Sequence, residues 1–235
     1  MKNPSDQAPK PDISDITHAL VTGAAKAIPV AGPIIDQFIL AFVEAPVTER
    51  RWRWVQSIAI KVRKLEEKNE DLEESLKNNE EFKTAFLYAG QIGIRSHQVE
   101  KLEALQNAVL NTAIPGEIED SQQQIFLNYI DTFTAWHIKI LKFLDNPIDW
   151  GKLHQITYPN LAMGGVVTII KVAFPQLKEK PQFYNQIIYD LHDRGLLNES
   201  RDFFNVSMSP TGIFTSHTSD SGKLFLKFIS SPIDE

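Results

Sequence analysis

The sequence predicts a mainly α-helical protein, with an N-terminal antiparallel bundle of long helices and a small C-terminal winged-helix domain of helices and a β-hairpin. Apolar residues recur at helical spacing through the first two thirds of the 235 residues. After "DNPIDW" the order changes to helix, helix, hairpin, helix, which is typical of a winged helix. We therefore divide the chain into a disordered leader (1–12), the bundle (13–146) and the winged-helix domain (147–235).

The first two predicted helices contain the least charged part of the chain. A helix over 16–27 is followed, after a break rich in proline and glycine, by a helix over 33–44. Between residues 27 and 43 the only charge is Asp36. A helix that is apolar around most of its circumference is buried in protein or in contact with lipid.

The remaining elements are predicted from caps, helix breakers and apolar stripes. Helices continue through the bundle, and shorter elements follow the break. In chain order they are helices over 47–65, 80–113, 120–144, 161–174 and 181–194, paired strands over 203–208 and 213–217, and a last helix capped by Ser219 or Ser221.

The composition narrows the function classes. There is no cysteine, which excludes disulfides, thiolate metal sites and cysteine nucleophiles, and fits an intracellular protein. The net charge is −6, and residues 151–235 carry 8 Lys+Arg against 8 Asp+Glu, so the chain lacks the basic balance of a general nucleic-acid binder. Nucleophile, phosphate-loop, dinucleotide and H-E-x-x-H motifs are absent from the sequence. We expect a non-enzymatic protein with no cofactor, no metal and no small-molecule substrate.

The strongest functional feature follows the second helix. Six cations and no acid lie between Arg50 and Lys64, and two tryptophans are interleaved with the first of them. Anionic lipids attract such a segment by about 1 kcal/mol per Lys or Arg, and tryptophan side chains anchor at the headgroup level. The pattern predicts binding to an anionic membrane, to a protein partner or to a second copy, with residues 16–54 exposed when the bundle opens; the alternative is that these helices are bundle core. The predicted binding residues are Ile34, Ile35, Phe38, Ile39, Phe42, Arg50, Arg51, Trp52, Arg53 and Trp54.

Two other functions remain open. A cytosolic scaffold or adaptor predicts an exposed apolar patch. A DNA-binding regulator whose bundle dimerises would place the helix over 181–194 in the major groove. Acidic residues on and beside that helix weaken the second interpretation, because phosphate contacts need cations. The residues that it predicts in contact with nucleic acid are Lys178, Lys180, Gln182, Tyr184, Asn185 and Arg194.

Short motifs resemble bacterial Abi-alpha-like abortive infection proteins. "DLHDRGLL" (190–197) and "SDSGKLFLKFI" (219–229) are similar to the C-terminal part of those proteins. "IPVAGPIIDQFIL" (28–40) is similar to a segment of uncharacterised bacterial proteins of the same layout. The resemblance implies defence against phage and carries over no catalytic residue. We expect a cytoplasmic protein with defence or regulatory function that acts at the inner face of the membrane or on a partner.

Overall fold

The computed structural model describes residues 49–68, 72, 76, 79–114, 116 and 118–233, with the backbone alone over 49–52. The predicted leader and the helices over 16–27 and 33–44 lie outside these residues. The described part of the chain is mainly helical and contains ten α-helices and no strand. The general fold class predicted from the sequence is therefore confirmed.

Most of the helices are joined by short connections, and longer ones precede α7 and α9. Two 3-10 turns, Pro175–Leu177 and Phe203–Asn205, lie among the later ones. The helices are α1 (Glu49–Glu66), α2 (Glu80–Arg95), α3 (Val99–Thr112), α4 (Asp120–Thr132), α5 (Ala135–Asp145), α6 (Pro147–Leu153), α7 (Val166–Ala173), α8 (Pro181–Asp193), α9 (Pro210–Phe214) and α10 (Asp220–Phe228).

Helices α2 and α3 lie at the centre of the bundle. Both pack against α1 and α4, and α3 also packs against α5 and α10. At the start of α2, the Asn79 side chain accepts a hydrogen bond from the backbone N–H of Phe82 at 2.8 Å. Two acids in the first turn, Glu80 and Glu81, complement the positive end of the helix dipole. Capping by Asn79 thus fixes the residue at which α2 begins.

Two long helices predicted from periodicity are each divided in the structure. The helix predicted over 80–113 is interrupted at Ser96, where the backbone is extended. The helix predicted over 120–144 is interrupted at Phe133, and a capping box between Thr134 and His137 starts α5. Apolar residues continue at helical spacing across both interruptions, so periodicity alone does not reveal them.

The predicted β-hairpin is wrong. Residues 203–205 form a 3-10 turn, and α9 covers most of the predicted turn and the first two residues of the predicted second strand. Ser209 caps α9 through the backbone N–H of Gly212, and Pro210 takes the first helical position, so "SPTG" begins a helix here. In the described residues, β pairing is limited to the isolated bridges Gly164–Met208 and Leu197–Thr218. The C-terminal segment therefore has no wing.

The predicted boundary at residue 146 is crossed by a single hydrophobic cluster. Helix α8 packs on α5, and α10 packs on α3, α4 and α5. The ring of Phe225 in α10 lies 5.3 Å from Phe126 and 5.9 Å from Phe133, centroid to centroid. On the same side, Asn107 and Asn111 of α3 donate to the carbonyl oxygens of Ile229 and Phe228 at 3.0 and 2.8 Å. The last helix thus completes the core of the bundle.

Replacing Gly222 with alanine is expected to lower the free energy of unfolding by about 1–3 kcal/mol, despite the better helix propensity of alanine. A Cβ atom at this position would lie 2.2 Å from the carbonyl oxygen of Leu196, a backbone atom that no side-chain rotation can move. Chemical denaturation measures the difference. Ser221→Ala, in the same turn of α10, is the control. Unfolding of Gly222→Ala at the wild-type midpoint would contradict the close contact between α10 and residue 196.

Candidate functional site

Helix α1 carries the cationic segment identified in the sequence, and it has two distinct faces. One face is apolar and is 0–4% exposed, packed against α2 and α3. The opposite face contains Arg53, Arg63 and Lys64, all exposed, and Ile60, which is 49% exposed. Successive residues of a helix are about 100° apart, so neighbours in sequence fall on different faces. The buried face consists of Trp54, Val55, Ile58, Ala59, Val62 and Leu65.

The exposed face of α1 contains cations near both ends of its described side chains, Arg53 at one end and Arg63 and Lys64 at the other. In the sequence of the helix, the acids Glu49 and Glu66 are the first and last residues. Lys61 has a structural role, because its ammonium donates to the side-chain oxygen of Asn107 at 3.0 Å. Asn107 is 3% exposed and also binds the end of α10. The arrangement can attract an anionic surface while the helix stays attached to the bundle.

The predicted binding residues have different outcomes. Ile34, Ile35, Phe38, Ile39 and Phe42 lie outside the described residues. Arg50, Arg51 and Trp52 lie in the first turns of α1, where the backbone alone is described. Arg53 is exposed, as a binding role requires.

Trp54 requires a correction. It was predicted at a membrane or partner surface, but its side chain is 3% exposed and belongs to the core. Its indole ring lies against Gly93 of α2, so closely that a Cβ atom on that glycine would be 2.8 Å away. The helical turn separates Trp54 from Arg53 and aligns it with Ile58. The Arg/Trp cluster of the sequence is therefore divided between two faces of α1.

The residues predicted to contact nucleic acid are divided between exposed and buried positions. Lys178, Lys180 and Gln182 are exposed, and Asn185 is half-buried. Tyr184 is corrected to a core residue: it is 3% exposed and shares the apolar face of α8 with the isoleucines and leucine that follow it.

Arg194 is held by internal contacts. Its guanidinium lies 5.0 Å from the ring centroid of Tyr129 and 5.2 Å from that of Phe133. It also donates to the hydroxyl of Thr132 at 3.0 Å. Nearby, the Arg201 guanidinium donates to Asp193 at 2.9 Å and lowers the pKa of that carboxyl to about 2. Cations at this end of α8 thus serve the fold, and the nucleic-acid interpretation loses Arg194 as a free phosphate contact.

His137 was interpreted from the sequence as a core or boundary residue, and the structure confirms that it is buried. Its Nδ1 accepts the backbone N–H of Thr134 at 3.1 Å, and its Nε2 lies 3.2 Å from a carboxylate oxygen of Asp190. The order Thr–His–Asp resembles a catalytic triad. The Thr134 hydroxyl lies 3.0 Å from the same Nδ1, but the single lone pair on this nitrogen is shared with the backbone N–H that it accepts at the start of α5.

His217 is a second buried histidine, with no exposed surface. Its backbone N–H donates to the carbonyl of Leu144 at 2.9 Å, and its Nε2 lies 3.3 Å from the carbonyl oxygen of Ile213. The other ring nitrogen, Nδ1, is 3.8 Å from Glu199, beyond hydrogen-bonding distance. Desolvation by burial is the main cause that lowers the pKa of both His137 and His217.

An exposed apolar region, of the kind an adaptor would use, surrounds α6. Leu153 is 78% exposed and Ile148 is 48% exposed. Beside them lies an open recess of about 660 Å³, lined in part by Trp150 and by Lys142 at its edge. This region was not identified in the sequence, where "DNPIDW" indicated a domain boundary.

Two further properties limit the chemistry available within the described residues. No three His, Asp or Glu side chains there converge closely enough to hold a metal ion. Over the same residues, every helix is too short or too polar to cross a bilayer.

Comparison with known proteins identifies no relative: no family model, no curated protein and no solved structure matches the chain. The resemblance to Abi-alpha-like proteins therefore stays a prediction, as does the cytoplasmic location.

Substitutions on the two faces of α1 are expected to differ in their effect on stability. Trp54→Ala should lower the free energy of unfolding by about 3–5 kcal/mol, because it removes a buried aromatic side chain and leaves a cavity against Gly93. Arg63→Ala, on the exposed face, should change it by no more than about 0.5 kcal/mol. Urea denaturation followed by circular dichroism compares the two, and equal effects would contradict the assignment of the faces.

Stability is expected to fall as the pH drops from about 7 to about 5, because the unfolded state then binds more protons than the folded state. The folded-state pKa of His217 is lowered. Its contribution to stability is therefore complete above the unfolded pKa of about 6.5 and is lost as the pH falls towards the folded value. Thermal unfolding of wild type and His217→Gln across this range measures the effect. The variant should show the shallower pH dependence; parallel curves would exclude His217 as a source.

Proposed function

We propose that the protein binds anionic membrane surfaces through the exposed face of α1, and that the apolar segment over 27–43 inserts into the bilayer beside it. The observation that carries the proposal is the polarity of α1. Its outer face carries Arg53, Arg63 and Lys64, the helix sequence has no acid between its first and last residues, and its inner face is fixed in the core. The function is one of binding, without catalysis. The resemblance to Abi-alpha-like proteins suggests defence against phage as its setting.

The burial of α1 supports a mechanism in which this helix stays packed. Six apolar residues of its inner face are almost completely buried. At about 1.5–3 kcal/mol for each large side chain, detaching α1 would cost on the order of 10 kcal/mol, which is comparable with the stability of a whole domain. Opening of the bundle up to Trp54, as the sequence first suggested, is therefore replaced by docking of the folded protein.

The outer face of α1 suits the headgroup region of a bilayer. Arg63 and Lys64 provide long cationic side chains, and Ile60 presents an apolar side chain beside them. Each cation adds about 1 kcal/mol of attraction to an anionic leaflet, and salt weakens that attraction. A helix of this kind provides affinity and a defined orientation, while the apolar segment before it provides the inserting element.

A second candidate function is docking of a protein partner on the apolar region around α6. The exposed side chains of Leu153 and Ile148 favour it. This alternative makes α6, and not α1, the binding element, so the two candidates are separated by variants of the two helices.

Flotation with liposomes tests the proposal. Wild-type protein should float with vesicles that contain phosphatidylglycerol and not with phosphatidylcholine alone, and the fraction bound should fall as salt is added. Reversing both charges in Arg63→Glu/Lys64→Glu should weaken binding by about 30-fold or more. The Arg50→Glu/Arg51→Glu/Arg53→Glu variant extends the test to the start of α1.

The matched control is Lys178→Glu/Lys180→Glu, which makes the same charge change at two exposed lysines before α8. It should float like wild type, and so should Leu153→Ser. Absence of wild-type binding, or an equal loss in the lysine control, would overturn the proposal. Loss of binding in Leu153→Ser alone would transfer the activity to the region around α6.

A further inference from the structure

A cavity of about 240 Å³ lies where α2 ends, α3 begins and α4 ends. It is separate from the outer face of α1, although Ile92 in its wall is adjacent to Gly93, on which Trp54 of α1 packs. Polar and charged side chains provide most of its wall: Arg95, Ser96, His97, Lys101 and Asp131. Neither the predicted functions nor the proposed one uses these residues.

Two cations in the cavity repel each other. Burial is the main cause that lowers the pKa of Lys101, and the nearby charge of Arg95 lowers it further. The carboxylate of Asp131 partly offsets this, but its oxygen is 3.5 Å from the Arg95 guanidinium, at the limit of a hydrogen bond. An anion placed between Arg95 and Lys101 would stabilise both charges.

Two hydrogen bonds hold the ammonium of Lys101 in place and leave one of its protons available. Its ammonium donates to the carbonyl oxygens of Asp131 and Phe133 at 2.6 and 3.0 Å, which ties down the end of α4. An ammonium has three protons, so these two bonds leave one for a ligand. The side chain of Arg95 is 68% exposed, and its guanidinium retains further N–H donors for a ligand.

The acidic side chains around the cavity do not neutralise its two cations. Asp131 is the only carboxylate in its wall. Glu100, in the first turn of α3, is paired with Lys139 at 2.5 Å and lies outside the wall. With Arg95 and Lys101 against Asp131, the cavity has a net charge of +1 when His97 is neutral, and the hydroxyl of Ser96 adds a neutral donor.

We propose that this cavity binds a phosphate group, with Arg95 and Lys101 as the charged ligands and Ser96 and His97 as further donors. The chemistry is that of a tetrahedral dianion that takes several short, charge-assisted hydrogen bonds. At about 30 Å³ per water molecule, the volume is sufficient for one phosphate group with part of its hydration shell. The group is inorganic phosphate, a soluble phosphomonoester or a lipid headgroup. This inference does not depend on the membrane function proposed for α1.

Titration with sodium phosphate, followed by the backbone amide signals in nitrogen-15 NMR spectra, tests the proposal. Sodium chloride at matched ionic strength corrects for screening. Saturable shifts are expected in the amides of residues 95–101. Loss of one charge-assisted contact should weaken binding by about 10- to 100-fold in Arg95→Gln and in Lys101→Met.

The variants distinguish binding from folding. Lys101→Met also removes two contacts to the end of α4, so Arg95→Gln, at an exposed side chain, is the variant that keeps the fold. Lys178→Gln is the control and should bind like wild type. Shifts in wild type that do not saturate, or wild-type affinity in Arg95→Gln, would overturn the proposal.

A second arm identifies the source of the phosphate. Vesicles with phosphatidic acid are floated with wild type and with Arg95→Gln, in the presence and absence of free phosphate. Competition by phosphate, together with weaker flotation of Arg95→Gln, assigns the site to a lipid headgroup; saturable phosphate binding without such competition assigns it to a soluble phosphate. The Arg63→Glu/Lys64→Glu protein should bind phosphate like wild type. Loss of membrane binding at α1 is therefore distinguished from loss of phosphate binding in the cavity.

Discussion

The structure depends on the packing around α3, which contacts the first and the last described helices. Its inward positions are occupied by small or medium side chains, including Ala104 and Ala108, and these allow several helices to approach closely. A buried polar side chain in this region, Asn107, is satisfied on both sides: its oxygen accepts from Lys61, and its amide donates to Ile229. A buried amide with both ends satisfied specifies one arrangement of neighbours, because any other would leave a polar atom unpaired.

This constraint explains how α1 can combine stability with the binding surface that we propose for it. Because α3 and α2 hold the apolar side of α1, the cations on its other side have a fixed orientation. A flexible basic tail would lose conformational entropy when it bound a surface, whereas a packed helix has already lost it. The same logic applies to Lys101, whose position is set by the carbonyl oxygens at the end of α4.

Periodicity in the sequence was sufficient for the helical class and for the buried stripe of α1, because a helix in a bundle must bury its apolar positions. It did not locate the breaks at Ser96 and Phe133, since the apolar pattern is preserved across them. The hairpin was predicted from strand-forming residues such as Phe203, but a serine cap and Pro210 favoured a helix locally. The cavity beside Lys101 joins residues from three helices, and its geometry depends on tertiary packing that spacing within one segment does not contain.

The position of α10 also has a consequence for biosynthesis. Helix α10 supplies Phe225 and Phe228 to the centre of the bundle, so the core stays incomplete until this helix has left the ribosome. About 180 residues separate α1 from that point, which corresponds to roughly 10–40 s of translation. During this interval the apolar segment over 27–43 and the arginines that follow it have already been synthesised, while the part of the core to which α10 contributes is still open. Hydrophobic segments that wait in this way on a nascent chain are prone to aggregate or to bind chaperones.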